Sequence, residues 1–257
     1  MQVRVDLILS LLKDVQPKNF AAAARDNAKD ILGAPAQTMD YYHHVRREIA
    51  PLLPSAASRI LEVGAGAGGT LKWLKDTYPN AETTAVELNG ALRDELQRNA
   101  DVVLIGSIEE TFPLLKKYDL ILLLDVLAHL PDSTGTLQQL AKLLVPGGHV
   151  IVSVPNIAHF SVSVPLLLRR RFNYQDAGIL DRTHLRFFVE DSAIKLLNDA
   201  SLIVTSALSS GLQGPKARFL NFASLGLLQH HLTKQYIMLG TLSDGKAVQK
   251  KVQWTIA

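Results

Sequence analysis

Two patterns of apolar residues divide the sequence near residue 55. Before it, apolar residues recur every three or four positions, which is the period of an α-helix. After it, short apolar runs alternate with helical stripes, which is typical of βαβ units and a parallel sheet. We therefore predict a helical N-terminal extension or lid over residues 1–54 and an α/β domain over residues 55–257. Helices of the extension are expected near residues 5–12, 20–32 and 39–49.

The apolar runs after residue 55 predict a Rossmann-like α/β fold, in which a seven-stranded, mostly parallel sheet carries helices on both faces. The run 120–124 is apolar without alternation, as a central strand covered on both faces should be. A polar and aromatic stretch, about 155–188, interrupts the pattern and is predicted to be a substrate-binding insertion, and a late helix is expected over 219–231. The predicted strands are Arg59–Val63, Thr83–Leu88, Val102–Ile105, Tyr118–Asp125, His149–Val154, Leu202–Ala207 and Tyr236–Leu242.

A glycine turn follows the first predicted strand and opens a helix. Its glycines allow positive φ and let a ligand approach the backbone closely. Gly64, Gly66 and Gly69 satisfy the pattern of dinucleotide-binding enzymes, so the turn by itself predicts only a nucleotide-like ligand. Within it, Gly64, Ala65, Gly66 and Gly68 are the candidate ligand contacts.

Two acidic residues near the turn narrow the choice of ligand. Glu62 lies two residues before the first glycine, where a carboxylate would repel a pyrophosphate but attract a cationic sulfonium amino acid. Glu87 ends the second predicted strand about 20 residues later, where an acid can accept both ribose hydroxyls of an adenosine. Leu88 follows it as a further contact.

The next strand ends add polar and apolar candidates. Ser107 and Ile108 follow the third strand and are expected to meet an adenine, Ser107 with its hydroxyl and Ile108 with apolar contact. Asp125 and Val126 follow the fourth strand and are expected near a methionine moiety.

Longer motifs support a family resemblance. The glycine turn and Glu87 are joined by the segment 125–131 (DVLAHLP) and the turn 144–148 (LVPGG). Together they resemble the class I S-adenosylmethionine-dependent methyltransferases. The blocks 153–160 (SVPNIAHF) and 172–188 (FNYQDAGILDRTHLRFF) resemble, more narrowly, a bacterial subfamily that often accompanies glycan and secondary-metabolite assembly. The likeness extends from about Tyr41 to Ala207.

The resemblance implies S-adenosyl-L-methionine as cofactor and a small acceptor, a hydroxyl (or amine) of a sugar or natural-product-like compound. Methyl transfer is an in-line displacement, so alignment of the reactants is the main task. A hydroxyl must also lose a proton, for which histidine is suited. We predict His184 or His129 as the base, with His184 favoured, and Arg182 and Asp181 as groups that orient the acceptor or the imidazole.

One position departs from the family pattern. Relatives commonly carry Glu where this chain has Ala128, so His129 lacks an expected carboxylate neighbour. This departure keeps a non-catalytic, cofactor-binding scaffold protein as an alternative. An NAD-dependent oxidoreductase is a second alternative, since it fits the glycines and Glu87 but gives Glu62 no function.

Composition excludes several other classes. Cysteine is absent, so disulfides and thiolate zinc sites are excluded. A formal charge of +3 argues against nucleic acid as a partner. Adjacent histidines at 43–44 and 230–231 do not share a helix face, so no metal is predicted.

No run is long and apolar enough for an integral membrane segment, which leads us to expect a cytoplasmic protein. Arg169–Arg171 allows peripheral membrane contact, and Phe219–Leu228 an oligomer interface.

Overall fold

The computed structural model describes residues 42–212, 214–243, 249 and 251–256. Two of the predicted N-terminal helices lie outside these residues, and the division at residue 54 stays a prediction. The third predicted helix does not continue past Tyr42: a short irregular segment leads into a 3-10 helix, Arg47–Leu52. The cause is tertiary contact, because the Arg46 N–H donates to the Thr70 hydroxyl (3.3 Å) rather than to a helical carbonyl.

One sheet organises the described residues, in the order β3-β2-β1-β4-β5-β7-β6-β8. Strands β1 to β5 run parallel, and β7 pairs antiparallel with both β5 and β6. The Rossmann-like α/β prediction is thereby confirmed. The strands are β1 (Arg59–Val63), β2 (Glu82–Glu87), β3 (Val102–Ile105), β4 (Tyr118–Leu124), β5 (Leu144–Pro155), β6 (Leu202–Ser210), β7 (Gln235–Leu242) and β8 (Trp254–Ile256).

The predicted count of seven strands was wrong, since the sheet has eight. Strand β8 pairs in parallel with the end of β6, where Ala207 lies opposite Trp254. It is only three residues long and too short to show an alternating pattern. Trp254 anchors it: its indole N–H donates to the Glu190 carboxylate (2.7 Å), and its ring packs on Tyr236 with centroids 4.6 Å apart.

Eight α-helices are described, and three of them begin at a side chain that caps the first turn. Ser107 forms a capping box with Glu110 at the start of α3, and Asp132 caps α4. The helix predicted over 219–231 is broken in two, because Leu225 and Gly226 have positive φ. The helices are α1 (Gly69–Thr77), α2 (Arg93–Leu96), α3 (Ile108–Thr111), α4 (Ser133–Ala141), α5 (Phe160–Arg169), α6 (Glu190–Asp199), α7 (Pro215–Ala223) and α8 (Gln229–Leu232).

A hydrophobic core covers each face of the sheet. Strand β4 contributes side chains to both cores: Ile121 and Leu123 belong to one cluster, and Leu120 and Leu122 to the other. The mid-sheet position predicted from its unbroken apolar run is therefore confirmed. Because β1 to β5 are parallel, their carboxyl ends lie along one edge of the sheet, where ligands of open α/β folds bind.

Candidate functional site

The glycine turn after β1 is shaped by backbone that few side chains tolerate. Gly64, Gly66 and Gly68 have φ of 70°, 56° and 80°. A Cβ on Gly66 would lie 2.7 Å from the carbonyl oxygen of Tyr42, which accepts a hydrogen bond from the Ala67 N–H (2.9 Å). Glycine is therefore needed at Gly66 both for its positive φ and for the close approach of the Tyr42 backbone.

Glu62 is a buried acid beside this turn. Only 3% of its surface is exposed, and its Oε2 has no hydrogen-bond partner among the described residues. Burial raises the pKa of Glu62 to about 8, with Glu87 adding to the effect and Arg46 opposing it. A buried carboxyl oxygen without a hydrogen-bond partner lowers the stability of the fold. It therefore indicates that a cationic or donor group of a ligand completes this site.

Arg46 is a buried cation that no sequence pattern singles out. Its guanidinium donates to Asp125 Oδ2 (2.7 Å), to the Ser153 hydroxyl (3.3 Å) and to Gln235 Oε1 (3.2 Å). Burial opposes its charge, but Asp125 and Glu48 outweigh burial and raise the pKa of Arg46. Within the predicted third helix, Arg46 looked like an ordinary surface residue. Three of its partners come from distant positions and only Glu48 (2.5 Å) is near in sequence, so no local signal could have found its buried position.

Glu87 closes the turn from the end of β2. Its carboxylate accepts the N–H of Gly66 (2.8 Å) through Oε2 and the N–H of Asn89 (2.9 Å) through Oε1. Each oxygen keeps a second lone pair, which suits it to a pair of ribose hydroxyls. Leu88 beside it is 55% exposed, an apolar side chain left uncovered at the edge.

The remaining predicted cofactor contacts fall at neighbouring strand ends. Asp125 has a positive φ of 64°, and its N–H donates to the Ser153 hydroxyl (2.9 Å). Val126 is half-buried, and its side chain fills the space that a Cβ on Gly64 would need. The Ser107 hydroxyl accepts the Glu110 N–H (3.2 Å). Ile108 is buried and packs into the core, where little of its surface is open to a ligand. Its expected contact with an adenine stays a prediction.

A hydrogen-bonded chain of three side chains joins the insertion to the segment after β4. The buried Asp181 accepts from the Thr183 hydroxyl (2.6 Å), and that hydroxyl lies 3.0 Å from His129 Nδ1. Burial and the neighbouring His184 lower the pKa of His129, and Asp181 and Asp125 oppose this. His129 is therefore mostly neutral at neutral pH.

His184 and Arg182 have different surroundings. His184 is buried, its Nδ1 lies 3.1 Å from the Ile179 carbonyl, and its ring centroid is 4.6 Å from that of His129. The Arg182 guanidinium instead forms an ion pair with the exposed Asp176, so it does not join the histidines. The Ala128 carbonyl accepts the backbone N–H of Leu185 (2.8 Å), which fixes the insertion against the histidine segment.

Sheet order and site chemistry together define a class. The turn allows close backbone approach, the buried acid Glu62 and the buried cation Arg46 interact beside it, and Glu87 accepts the Gly66 N–H. These groups fit an adenosyl amino acid, which is the ligand of a Rossmann-like S-adenosylmethionine-dependent methyltransferase. The methyltransferase-domain family matches residues 38–207, about two thirds of the chain. The chain belongs to this family, and its cofactor is S-adenosylmethionine.

Individual relatives agree with this assignment. The chain is 31% identical over 106 residues to methyltransferase str2 of Strobilurus tenacellus, covering 41% of this chain and 38% of that protein. It is 33% identical over 126 residues to a malonyl-[acyl-carrier protein] O-methyltransferase of Anoxybacillus flavithermus, covering 46% and 48%. The matched segments thus span less than half of these relatives.

A solved structure shares the fold. A SAM-dependent methyltransferase from Archaeoglobus fulgidus superposes with a TM-score of 0.54 at 14% identity, over 76% of this chain and 90% of that one. At that identity the likeness shows the fold alone.

Proposed function

We propose that this chain transfers a methyl group from S-adenosylmethionine to a hydroxyl (or amine) of a small acceptor, a sugar or a natural-product-like compound. The observation that carries the proposal is the Asp181–Thr183–His129 chain, which prepares a neutral imidazole beside the cofactor edge. The relative from A. flavithermus is named as an O-methyltransferase, which supports oxygen as the accepting atom.

The cofactor, when bound, supplies an electrophilic methyl carbon on a sulfonium that leaves readily. We assign Glu62, once ionised, to the cofactor's ammonium group and Arg46 to its carboxylate, because each is buried and has the charge opposite to that of the group it would bind. Glu87 would hold the ribose hydroxyls, and Gly64, Ala65, Gly66 and Gly68 would form the backbone wall. Leu88, Ser107 and Ile108 would border the adenine, and Asp125 and Val126 the methionine moiety.

The hydrogen bonds determine which nitrogen of His129 is free. The Thr183 hydroxyl has a single proton, and it donates that proton to the Asp181 carboxylate. It must then accept from His129 Nδ1, as the Thr183 carbonyl does at 3.3 Å. Nδ1 therefore carries the hydrogen and Nε2 keeps its lone pair. A neutral imidazole with a free Nε2 can take the proton of an acceptor hydroxyl.

These contacts support His129 as the base, although the sequence motifs favour His184. His129 is half-buried and is linked through Thr183 to a carboxylate, whereas His184 is more buried and bonds only a backbone carbonyl. We therefore assign the base to His129, and to His184 the support of its ring. Arg182, held by Asp176 at the surface, is placed to meet the outer part of an acceptor.

Aromatic residues of the insertion suggest what kind of acceptor fits. Phe172, Tyr174 and Phe187 form edge-on and tilted contacts with centroids 5.5 to 6.4 Å apart, and Phe187 also contacts His184. Tyr174 is 54% exposed. Rings left open at the edge of a site can stack on the apolar face of a sugar or on a planar natural product.

The test is methyl transfer from labelled S-adenosylmethionine to a panel of methyl glycosides and phenols, with the corresponding amino sugars and anilines beside them. We expect label on the oxygen acceptors. With the best acceptor, His129→Gln should lower kcat by about 10²-fold to 10⁴-fold, and S-adenosylhomocysteine should still bind. Unchanged turnover in His129→Gln would remove the assignment of the base.

A further inference from the structure

Two apolar segments, one of them within the insertion, leave large side chains exposed. The first is α5 with the residues after it, 160–171, and the second is 214–234, which holds α7 and α8. Leu167, Phe222, Leu225 and Leu227 are each at least 80% exposed. Side chains of this size are rarely this open in a folded chain unless something binds them.

Both segments leave the sheet at one place. Pro155 at the carboxyl end of β5 pairs with Gln235 at the start of β7, so α5 begins beside the point where the second segment ends. The buried Asn156 fixes this junction, since its side-chain amide donates to the carbonyls of His230 (2.7 Å) and Thr233 (2.8 Å). The two segments thus start from the edge that carries the cofactor site.

The charge of the two segments has one sign. Neither 160–171 nor 214–234 contains Asp or Glu, although the whole chain has 24 acidic residues. Arg169, Arg170 and Arg171 follow the apolar turn of α5 and are exposed, as are Arg218 and Lys234. Within the described residues none of the three consecutive arginines forms an ion pair.

We propose that segments 160–171 and 214–234 form a docking surface for an anionic phospholipid membrane. Exposed Leu and Phe side chains would enter the boundary between headgroups and acyl chains, while the arginines and lysine meet lipid phosphates. We favour a lipid over a protein partner because the two segments combine exposed Leu and Phe side chains with cations and contain no acidic residue. Attachment is peripheral: no helix in the described part of the chain is long and apolar enough to cross a bilayer.

The experiment is sedimentation of the full chain with vesicles of phosphatidylcholine alone or with phosphatidylglycerol added. We expect binding only to the anionic vesicles and release at high salt. Each surface cation contributes about fivefold to such binding, so Arg169→Gln/Arg170→Gln/Arg171→Gln should lose on the order of 100-fold. Phe222→Ser/Leu225→Ser should also reduce binding strongly, because it removes the apolar part.

A matched variant controls for charge alone. Lys116→Gln/Lys117→Gln/Lys142→Gln also removes three exposed cations, but from the amino edge of the sheet, and should bind as the natural chain does. Circular dichroism checks that each variant is folded. Equal loss in both triple variants, or no binding to anionic vesicles, would overturn the proposal. So would self-association in analytical ultracentrifugation that Phe222→Ser/Leu225→Ser abolishes while vesicle binding is absent, since the surface would then bind a second copy.

Discussion

Glu62 is the residue at which stability and ligand binding oppose each other. Burial raises its pKa to about 8 from an ordinary value of 4.5, so the folded chain keeps this proton in a pH range where the unfolded chain releases it. Stability contributed by Glu62 is therefore lost as the pH rises from about 4.5 to about 8. The same acid must ionise to hold a cationic ammonium group.

Replacing Glu62 should stabilise the protein without ligand. We expect Glu62→Gln to raise the Tm by several degrees at about pH 9 and to have much less effect at about pH 5, because only the ionised form is penalised by burial. Thermal unfolding at the two pH values measures this. Glu82→Gln, on the neighbouring strand and paired at the surface with Lys116, should change little at either. A lower Tm for Glu62→Gln at pH 9 would contradict the unfavourable burial of the ionised Glu62 side chain.

Thr183 is proposed to position His129 rather than to touch substrate. Thr183→Val removes the hydroxyl that fixes the imidazole, and should lower kcat by about 10-fold to 100-fold with little change in the KM for the acceptor. Thr183→Ser keeps the hydroxyl and should restore most of the rate. Steady-state kinetics on the best acceptor separates the two, and equal losses would assign Thr183 a packing role instead.

The acid limb of the pH profile reports on the same chain. A base must be neutral, so kcat/KM should fall as the pH drops through the pKa of His129, which lies below its ordinary 6.5. Asp181 raises that pKa. Asp181→Asn should therefore move the acid limb to lower pH as well as reduce the rate. An unmoved limb would separate Asp181 from the titrating group.

At the level of elements, the turn after β1 combines backbone strain with close packing. Gly66→Ala introduces a Cβ 2.7 Å from the Tyr42 carbonyl at a φ of 56°, whereas Gly147→Ala meets nothing within 4 Å at a φ of 78°. Positive φ costs about 1–2 kcal/mol in either. The close contact should add about 1–3 kcal/mol for Gly66→Ala alone. Urea unfolding of both variants measures the difference, and equal losses would show that the Tyr42 segment does not press on the turn.

The segment before β1 is tethered by Arg46. Arg46→Ala leaves the half-buried Asp125 without its cation and should destabilise by about 1–3 kcal/mol. The adjacent Arg47 is exposed and lies over the Trp73 ring at 5.8 Å, so Arg47→Ala should cost less than about 1 kcal/mol. The comparison uses two arginines of one turn. Similar values from urea unfolding would mean that the Arg46 network contributes nothing beyond a surface contact.

Local patterns predicted most elements because each element carries its own period and caps. All seven predicted strands are present, with ends within three residues except at the start of β5, which lies five residues earlier than predicted. Predictions failed where distant residues decide the conformation. Arg46 interrupts a helical stripe by bonding Asp125, and the break at Leu225 lies within an apolar run that reads as one helix.

For the molecule as a whole, the mostly parallel sheet and the central position of β4 were predicted, but the eighth strand was not. Strand β8 depends on Trp254 contacting Tyr236 and Glu190, residues far away in sequence. The carboxyl edge was predictable because parallel strands align their ends. The pairing of His129 with Thr183 was not, since it requires knowing how the insertion returns to the segment after β4.

Isothermal titration tests the central assignment, that Glu62 recognises the amino-acid part of an adenosyl ligand. S-adenosylhomocysteine and adenosine share the nucleoside, but only the former carries the ammonium group. At about pH 9, Glu62→Gln should bind S-adenosylhomocysteine at least about 30-fold more weakly than the natural chain, while adenosine binds both equally. Unchanged affinity for S-adenosylhomocysteine, or an equal loss for both ligands, would contradict the account.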